Sequence, residues 1–293
     1  MSHAGRSAPG GLQEFVRQHL GPFQVRSDLS WDHGESAVWH VTSEAGDAVL
    51  KAQRQERKFR QELNVYRSWL PRLALPEGVQ VPQLLAWQDE PLPALLLSLE
   101  RGEPVQEVGL SARAELSVHE RAGEFLARLH ALPIAADDPL TLDEAFRMRV
   151  EAWSARADGL LPERVIRNAV ALAHEALPAL AVMTRVACHR DFTPRNWLID
   201  EAGTLTVIDF EHSRPDLHLV DFERLFTGLW RSRPELREAF LSGYGTDLSG
   251  DRTVVLRGVA ALGGLSTVVW AREHGDARFE EHGRDVLSWL GLS

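Results

Sequence analysis

The sequence predicts an α+β fold in which a β-rich first third precedes a mainly helical remainder. Residues 37–42 and 48–51 are β-rich runs around a glycine-containing turn, and the leucine-rich run 94–99 is typical of a central, buried strand. From residue 111 onwards helical periodicity dominates, interrupted by one strand–turn–strand at 197–208. We therefore expect an N-terminal lobe over residues 1–98 and a C-terminal lobe over residues 99–293.

The first third also supplies two helices. Apolar residues at helical spacing between Leu12 and Leu20 predict a short amphipathic helix. A second apolar stripe begins at Phe59 and predicts a helix over residues 53–70, which Pro71 should end. Residues 81–87 form a further predicted strand.

The C-terminal part is predicted to be helical apart from its hairpin. Residues 111–132 carry apolar side chains on one side, and long helical stretches fill residues 142–186. Strands are expected at 197–200 and 204–208, around a three-residue turn. Beyond about residue 219 the pattern is helical again, with breaks at Pro234 and at residues 243–250.

Composition and charge exclude several classes of protein. The 293 residues are 44% hydrophobic and 25% charged, which is typical of a globular domain and not of a disordered chain. The 32 basic and 42 acidic side chains give a formal net charge of −10. A net anion disfavours a nucleic-acid partner and favours cationic small molecules or metal-bound nucleotides.

The sequence predicts a cytoplasmic protein without a membrane partner. Residues 1–11 lack the apolar segment of a signal peptide. The longest uncharged apolar stretch, residues 258–271, is shorter than the roughly 20 residues that a membrane span needs, so we interpret it as a buried helix. The one cysteine, Cys188, excludes an internal disulfide. No pattern in the sequence indicates the oligomeric state.

The densest polar segment, residues 188–196, precedes the hairpin, and Asp209 follows it. Because Asn196 and Asp209 flank the two strands, we expect them side by side, roughly 4.8 Å apart. An amide oxygen and a carboxylate at that separation can share one Mg²⁺. Asp191 lies just upstream, where a carboxylate near the metal can accept a proton from a hydroxyl nucleophile.

The spacing His-x-Asp-x-x-x-x-Asn, followed by a hairpin and Asp-Phe, is typical of protein-kinase-like folds. In that template a strand lysine binds the α- and β-phosphates, and a helix glutamate orients it. Lys51 ends an apolar strand and Glu62 follows on the next predicted helix, so we interpret them as this pair. The only other lysine, Lys58, lies in a basic run and is interpreted as solvated.

The phosphate-covering turn of the template has a weaker counterpart. Gly34 lies with Ser36 between candidate strands and is the candidate turn, although a single glycine replaces the usual G-x-G-x-x-G.

Residues 126–133, 188–196 and 220–225 resemble signature segments of the aminoglycoside phosphotransferase and choline kinase-like family, within a resemblance that covers roughly residues 28–245. The resemblance implies a two-lobed protein-kinase-like fold with ATP or GTP between the lobes. It implies phosphoryl transfer to a hydroxyl of a small molecule: an aminoglycoside, a choline-like compound, or another amino alcohol or metabolite. The net charge favours a cationic acceptor.

The resemblance also implies residue roles. Asp191 would be the catalytic base, Asn196 and Asp209 the Mg²⁺ ligands, and Lys51 the phosphate anchor. Asp221 matches a family aspartate that braces the catalytic loop.

A further implied feature is a hinge at residues 97–100. Its backbone would meet the nucleotide base, which makes Ser98 and Glu100 nucleotide-binding candidates.

Two other functions are compatible with a kinase-like fold. A protein kinase is disfavoured because there is no Ala-Pro-Glu motif and because Val220 follows Asp209 too closely for an activation segment. A nucleotide-binding pseudokinase that acts as a scaffold or regulator is the alternative to an enzyme. The presence of the lysine, the base and both metal residues favours the enzyme.

Overall fold

The computed structural model describes residues 10–30, 36–135 and 138–293. It has an α+β fold with an N-terminal antiparallel sheet and a mainly helical C-terminal part, as the sequence predicts. The strands are β1 (Phe23–Asp28), β2 (Ser36–Ser43), β3 (Gly46–Gln53), β4 (Val79–Gln80), β5 (Leu84–Gln88), β6 (Ala94–Ser98), β7 (Glu103–Pro104), β8 (Val186–Cys188), β9 (Trp197–Ile199), β10 (Leu205–Val207) and β11 (Arg214–Asp216). The helices are α1 (Gly10–Leu20), α2 (Glu56–Asn64), α3 (Ala112–His130), α4 (Leu142–Ala157), α5 (Glu163–His174), α6 (Leu177–Leu180), α7 (Glu223–Thr227), α8 (Leu229–Ser232), α9 (Pro234–Tyr244), α10 (Asp251–His274) and α11 (Ala277–Trp289).

The chain forms two compact units. The sheet unit comprises the residues up to Leu110 together with Pro194–Ser213, and the helical unit comprises Ser111–Thr193 together with Arg214–Ser293. The hairpin β9–β10 therefore groups with the N-terminal sheet. Each unit therefore contains two segments of the chain. The single boundary that we expect between residues 98 and 99 stays a prediction.

The sheet unit is built on an antiparallel sheet in the order β1-β2-β3-β6-β5. Helix α1 covers one face, where Phe15 and Val16 share a buried apolar cluster with Leu50 and Ala52 of β3. Successive side chains of a strand point to opposite faces. Lys51, which lies between Leu50 and Ala52, is therefore directed away from α1.

Helix α2 follows β3 in the chain, and its buried face carries both apolar and charged side chains. Phe59, Glu62 and Leu63 are buried at spacings of three and four, so the carboxylate of Glu62 belongs to the inward stripe. The helical path continues as a π-turn at Val65–Trp69 and a 3₁₀ turn at Leu70–Arg72. The predicted helix over residues 53–70 is thus present in its main part.

The second sheet of this unit contains the predicted hairpin. Its order is β4-β10-β9-β7, and the hairpin register pairs Trp197 with Val207 and Ile199 with Leu205. The Asp200 carboxylate accepts the Thr204 N–H at 2.7 Å, which closes the turn.

The helical unit has two structural features that position its polar residues. Helices α3 and α9 cross with backbone in contact: a Cβ added at Gly123 would overlap the carbonyl oxygen of Phe240, and one at Gly243 would overlap that of Glu120. Helix α10 forms the core with α5 and α11. It is long and apolar enough to span a membrane, and 67% of its most apolar window is buried inside the protein.

Candidate functional site

The Lys51 centre of the sheet unit brings together residues from a strand, a helix and the hairpin end. Lys51 Nζ lies 3.1 Å from Glu62 Oε1, 2.7 Å from Asp209 Oδ1 and 3.2 Å from Glu211 Oε2. The lysine side chain is 7% exposed and that of Glu62 is 1% exposed, whereas that of Asp209 is 34% exposed. One buried ammonium group thus joins three carboxylates, of which Asp209 is the most accessible to solvent.

The charges at this centre shift one another's ionisation. Burial alone would lower the pKa of Lys51, but the carboxylates of Asp209, Glu62 and Glu211 outweigh it, and the pKa is raised well above its ordinary value. Burial raises the pKa of Glu62, and the Lys51 charge partly opposes that rise. Lys51 therefore stays charged in the fold.

The structure adds three residues to this centre that sequence reasoning did not place there. Gln53 Nε2 donates to Glu62 Oε2 at 2.9 Å and to Glu211 Oε2 at 3.2 Å. Lys58 Nζ lies 3.2 Å from Glu211 Oε1, and its side chain is mostly buried, so the interpretation of Lys58 as solvated is wrong.

A sequence signal for Glu211 did exist. Asp209 and Glu211 flank Phe210, which is fully buried, so a second carboxylate two residues after the predicted metal ligand was visible in the sequence.

The hairpin positions Asn196 and Asp209 on adjacent segments. The Ile208 N–H donates to the Asn196 carbonyl at 3.0 Å, so Asn196 is opposite Ile208 and one register position from Asp209. Asp209 has a φ of 66°, in the left-handed region that a non-glycine residue rarely adopts. Asn196 is buried. The two residues supply an amide oxygen and a partly exposed carboxylate, which are hard donors that suit Mg²⁺.

The remaining nucleotide-binding candidates lie at strand ends of the same unit. Ser36 begins β2 opposite Gln53, two residue pairs beyond the pair Val38–Lys51, and thus on the face that carries Lys51. The Gln83 N–H donates to Ser98 Oγ at 2.7 Å. The Ser98 hydroxyl in turn donates to the Glu100 carboxylate. Ser98 and Glu100 are thus brought together.

Gly34 lies outside the described residues. Its assignment to a phosphate-covering turn stays a prediction.

The helical unit contains Asp191, which lies on the loop after β8 and is buried. Two residues earlier the backbone is fixed by Asp221: its Oδ2 accepts the His189 N–H at 3.0 Å, and its Oδ1 accepts the Arg190 N–H. Arg190 has a φ of 67°. The predicted bracing role of Asp221 thus has a direct structural counterpart in two backbone hydrogen bonds.

The Asp221 carboxylate is itself held from the opposite side. His130 Nε2 at the end of α3 lies 2.9 Å from Asp221 Oδ2. His130 Nδ1 is hydrogen-bonded to the hydroxyl of Tyr244, the last residue of α9, at 2.7 Å. The chain Tyr244–His130–Asp221, with the loop amides that it holds, is called the Asp221 centre below.

Cys188 at the end of β8 belongs to the core and not to the reactive groups. Its thiol donates weakly to the carbonyls of Asp216 and Leu217 at 3.4 Å. Burial raises the pKa of Cys188 well above its ordinary value, so the group remains a thiol.

Comparison with known proteins identifies the family. Residues 30–255 match the model of the phosphotransferase enzyme family, APH. A comparison with curated protein sequences finds no match.

Solved structures share the fold over almost the whole chain. The GDP and kanamycin complex of APH(2")-IIIa is 18% identical with a TM-score of 0.73, over 96% of this chain and 98% of that chain. The streptomycin–ATP–APH(2")-IIa ternary complex is 16% identical with a TM-score of 0.69, over 98% and 99% of the two chains. The apo form of a thermostable mutant of APH(4)-Ia is 17% identical with a TM-score of 0.70, over 94% and 97%.

The family match spans most of the chain, and the fold agrees with these kinase-like structures over 94–98% of it. The chain therefore belongs to the APH phosphotransferase enzyme family.

Proposed function

We propose that this protein is a cytoplasmic phosphotransferase that moves the γ-phosphoryl group of ATP or GTP to a hydroxyl of a small molecule. The observation that carries the proposal is the buried Lys51, which joins Glu62 of α2 to Asp209 after the hairpin. This is the lysine–glutamate–aspartate arrangement of kinase-type phosphoryl transfer. Membership of a phosphotransferase family supports the reaction class.

The nucleotide would use residues of the sheet unit. Lys51 would bind its α- and β-phosphates while Glu62 keeps the ammonium group in place. Gly34 and Ser36 would contribute to the turn that covers the phosphates. Residues 97–100, with Ser98 and Glu100, would meet the base through their backbone.

Asn196 and Asp209 would hold Mg²⁺. Their amide and carboxylate oxygens fit the preference of this ion, and the Asp209 side chain keeps a third of its surface accessible beside Lys51. When bound, Mg²⁺ would neutralise charge on the β- and γ-phosphate oxygens.

Asp191 would be the catalytic base. A carboxylate accepts the proton of the attacking hydroxyl, provided that the two oxygens lie within hydrogen-bond distance. The backbone bonds from His189 and Arg190 to Asp221 fix the loop on which Asp191 lies. The protein therefore contributes orientation before the acceptor arrives.

The proposed acceptors are aminoglycosides, choline-like compounds and other amino alcohols. Two of the structural neighbours are complexes with kanamycin and with streptomycin. The net charge of −10 is a second support for a cationic acceptor.

The test is acceptor-dependent ADP or GDP release from Mg-ATP or Mg-GTP, with kanamycin, streptomycin, choline, ethanolamine and neutral sugars. We expect release with at least one compound, and its loss in Asp191→Asn. Glu201→Gln, an exposed carboxylate in the hairpin turn, is the matched control and should keep full activity. Nucleotide binding without release for every compound would favour the pseudokinase instead.

A further inference from the structure

Arg224 of α7 lies against the outer side of the proposed base. Its Nε is 3.5 Å from Asp191 Oδ1, and the arginine side chain is 42% exposed where that of Asp191 is 4% exposed. Among the residues that the structure describes, Asp191 is the only carboxylate within ion-pair distance of Arg224. Asp191 Oδ1 itself is buried, so the exposed guanidinium group is the part of this ion pair that solvent or an acceptor reaches.

The position of Arg224 is set by its surroundings. Helix α7 starts two residues after Asp221, which the loop amides and His130 hold in place. The guanidinium carbon lies 5.7 Å from the ring centre of Phe279 in α11, close enough for a cation–π contact. Arg224 is thus supported on one side by an aromatic ring and on another by the base.

The geometry limits what can surround a reacting hydroxyl. A hydroxyl that donates to Asp191 must bring its oxygen to about 2.7 Å from the carboxylate. An oxygen at that distance from Oδ1 lies at most about 6 Å from Arg224 Nε, so the guanidinium group can contact atoms on the same or the next carbon. Arginine offers five N–H donors and no acceptor, so the neighbouring group has to accept hydrogen bonds.

We propose that Arg224 is a specificity-determining residue that selects acceptors with an oxygen function beside the reacting hydroxyl. The inference rests on the proposed function, because it takes Asp191 as the base. A carboxylate can pair with two N–H groups of the guanidinium, and a vicinal hydroxyl can accept one. An ammonium group in the same place faces a like charge and loses affinity.

This inference separates the proposed acceptor classes. A polyhydroxylated ring presents hydroxyls next to hydroxyls, and its amino groups can bind away from Arg224. Choline and ethanolamine place their cationic nitrogen two carbons from the only hydroxyl, which brings it against the guanidinium. The net charge of −10 is a property of the whole chain, whereas the charge beside Asp191 is positive.

The experiment uses three ring compounds of one size that differ in one group. They are trans-2-hydroxycyclohexanecarboxylate, trans-1,2-cyclohexanediol and trans-2-aminocyclohexanol. Binding to the full-length protein is measured by calorimetry, and Mg-ATP-dependent ADP release is measured in parallel. We expect the carboxylate and the diol to bind better than the amino alcohol, by about tenfold or more for the carboxylate.

Variants of Arg224 decide the cause of that preference. Arg224→Gln should bring the three affinities to within about twofold of one another, and Arg224→Lys should retain part of the preference because its charge remains. Arg167→Gln removes an exposed arginine of α5 that pairs with Glu163, and it should leave the preference unchanged.

The outcomes separate this inference from the proposed function. A binding preference that depends on Arg224 without ADP release from the three rings would support the selection by Arg224, while the acceptor panel described above decides the phosphotransferase function separately. ADP release with an unchanged preference in Arg224→Gln would overturn the inference and leave the function standing. A stronger affinity for the amino alcohol, or no binding of the carboxylate and the diol, would also overturn the inference.

Discussion

The Lys51 centre and the Asp221 centre both bury carboxylates, but they satisfy them by different means. At the Lys51 centre, side-chain ammonium groups compensate Glu62 and Glu211. At the Asp221 centre, one carboxylate accepts two backbone N–H groups and one imidazole N–H. The donors of the first arrangement are all side chains, whereas two of the three donors of the second belong to the main chain.

The difference indicates a division of labour. A lysine side chain can change partners when a phosphate arrives, because only rotamers have to change. Backbone donors cannot leave Asp221 unless the loop itself moves, and an unpaired buried N–H is costly. We therefore interpret the Lys51 centre as exchangeable and the Asp221 centre as a fixed support for Asp191.

The largest effect is expected when the fixed support is removed. Asp221→Ala leaves the loop amides and the His130 ring without their buried acceptor, so the free energy of unfolding should fall by about 3–5 kcal/mol. Urea unfolding measures it. Asp221→Asn keeps one acceptor oxygen, so its free energy of unfolding should fall by less than that of Asp221→Ala. If Asp221→Ala lowers the free energy of unfolding by less than about 1 kcal/mol, the Asp221 centre is not the fixed support that we describe.

The next effect separates two carboxylates with different proposed roles. Asp191→Asn keeps the shape of the side chain and should leave ATP affinity nearly unchanged, while turnover falls about 10²-fold or more. Asp209→Asn should abolish productive Mg-nucleotide binding, because a metal ligand is lost. Nucleotide titration and steady-state turnover of both variants provide the test. Equal loss of ATP affinity in the two variants would contradict this assignment of roles.

An intermediate effect is expected at the exchangeable centre. Lys51→Met should abolish measurable ATP binding, yet lower the free energy of unfolding by only about 2 kcal/mol, because Lys58 still pairs with Glu211 and Asp209 is partly exposed. The double variant with Glu62→Gln should recover stability but not ATP binding. If Lys51→Met is as unstable as Asp221→Ala, the centre is not exchangeable.

The smallest effect is a pH dependence at Glu211. Burial alone would raise its pKa, but the His212 hydrogen bond and the charges of Lys51 and Lys58 lower it well below the ordinary 4.5. A lowered folded-state pKa stabilises the protein above the unfolded value, and that stabilisation is lost as the pH falls. Glu211→Gln should therefore cost about 1–2 kcal/mol at pH 7.

The measurement for Glu211 is urea unfolding of the wild type and the variant at several pH values. The difference in the free energy of unfolding between the wild type and the variant should be constant above about pH 5 and shrink steadily below it. A difference in the free energy of unfolding that grows on acidification would show that the pKa of Glu211 is not lowered in the folded protein.

The sequence predicted the parts of the site that depend on short-range spacing. The separation of eleven positions from Lys51 to Glu62 and the hairpin between Asn196 and Asp209 fix relative positions through local geometry. Lys58 was misinterpreted because its partner Glu211 is distant in sequence, and a basic run alone indicates a solvated face.

Two other features had no clear signal. Strand β1, FQVRSD, alternates only over Phe23 to Arg26, and this run is too short and too partly buried to identify a strand by its periodicity. Arg224 was one arginine among many, and its contact with Asp191 depends on how α7 follows the Asp221 centre. Both depend on tertiary packing, which periodicity does not encode.

The contact between α3 and α9 has a genetic consequence. Every single-nucleotide missense change in a glycine codon introduces a side chain, and at Gly123 or Gly243 its first carbon would displace the facing helix. These helices carry His130 and Tyr244 at their ends, so such a displacement would reach the loop of Asp191. In a mutational scan or a selection for a new acceptor, both codons should therefore tolerate only synonymous changes, while exposed positions on the same helices accumulate substitutions freely.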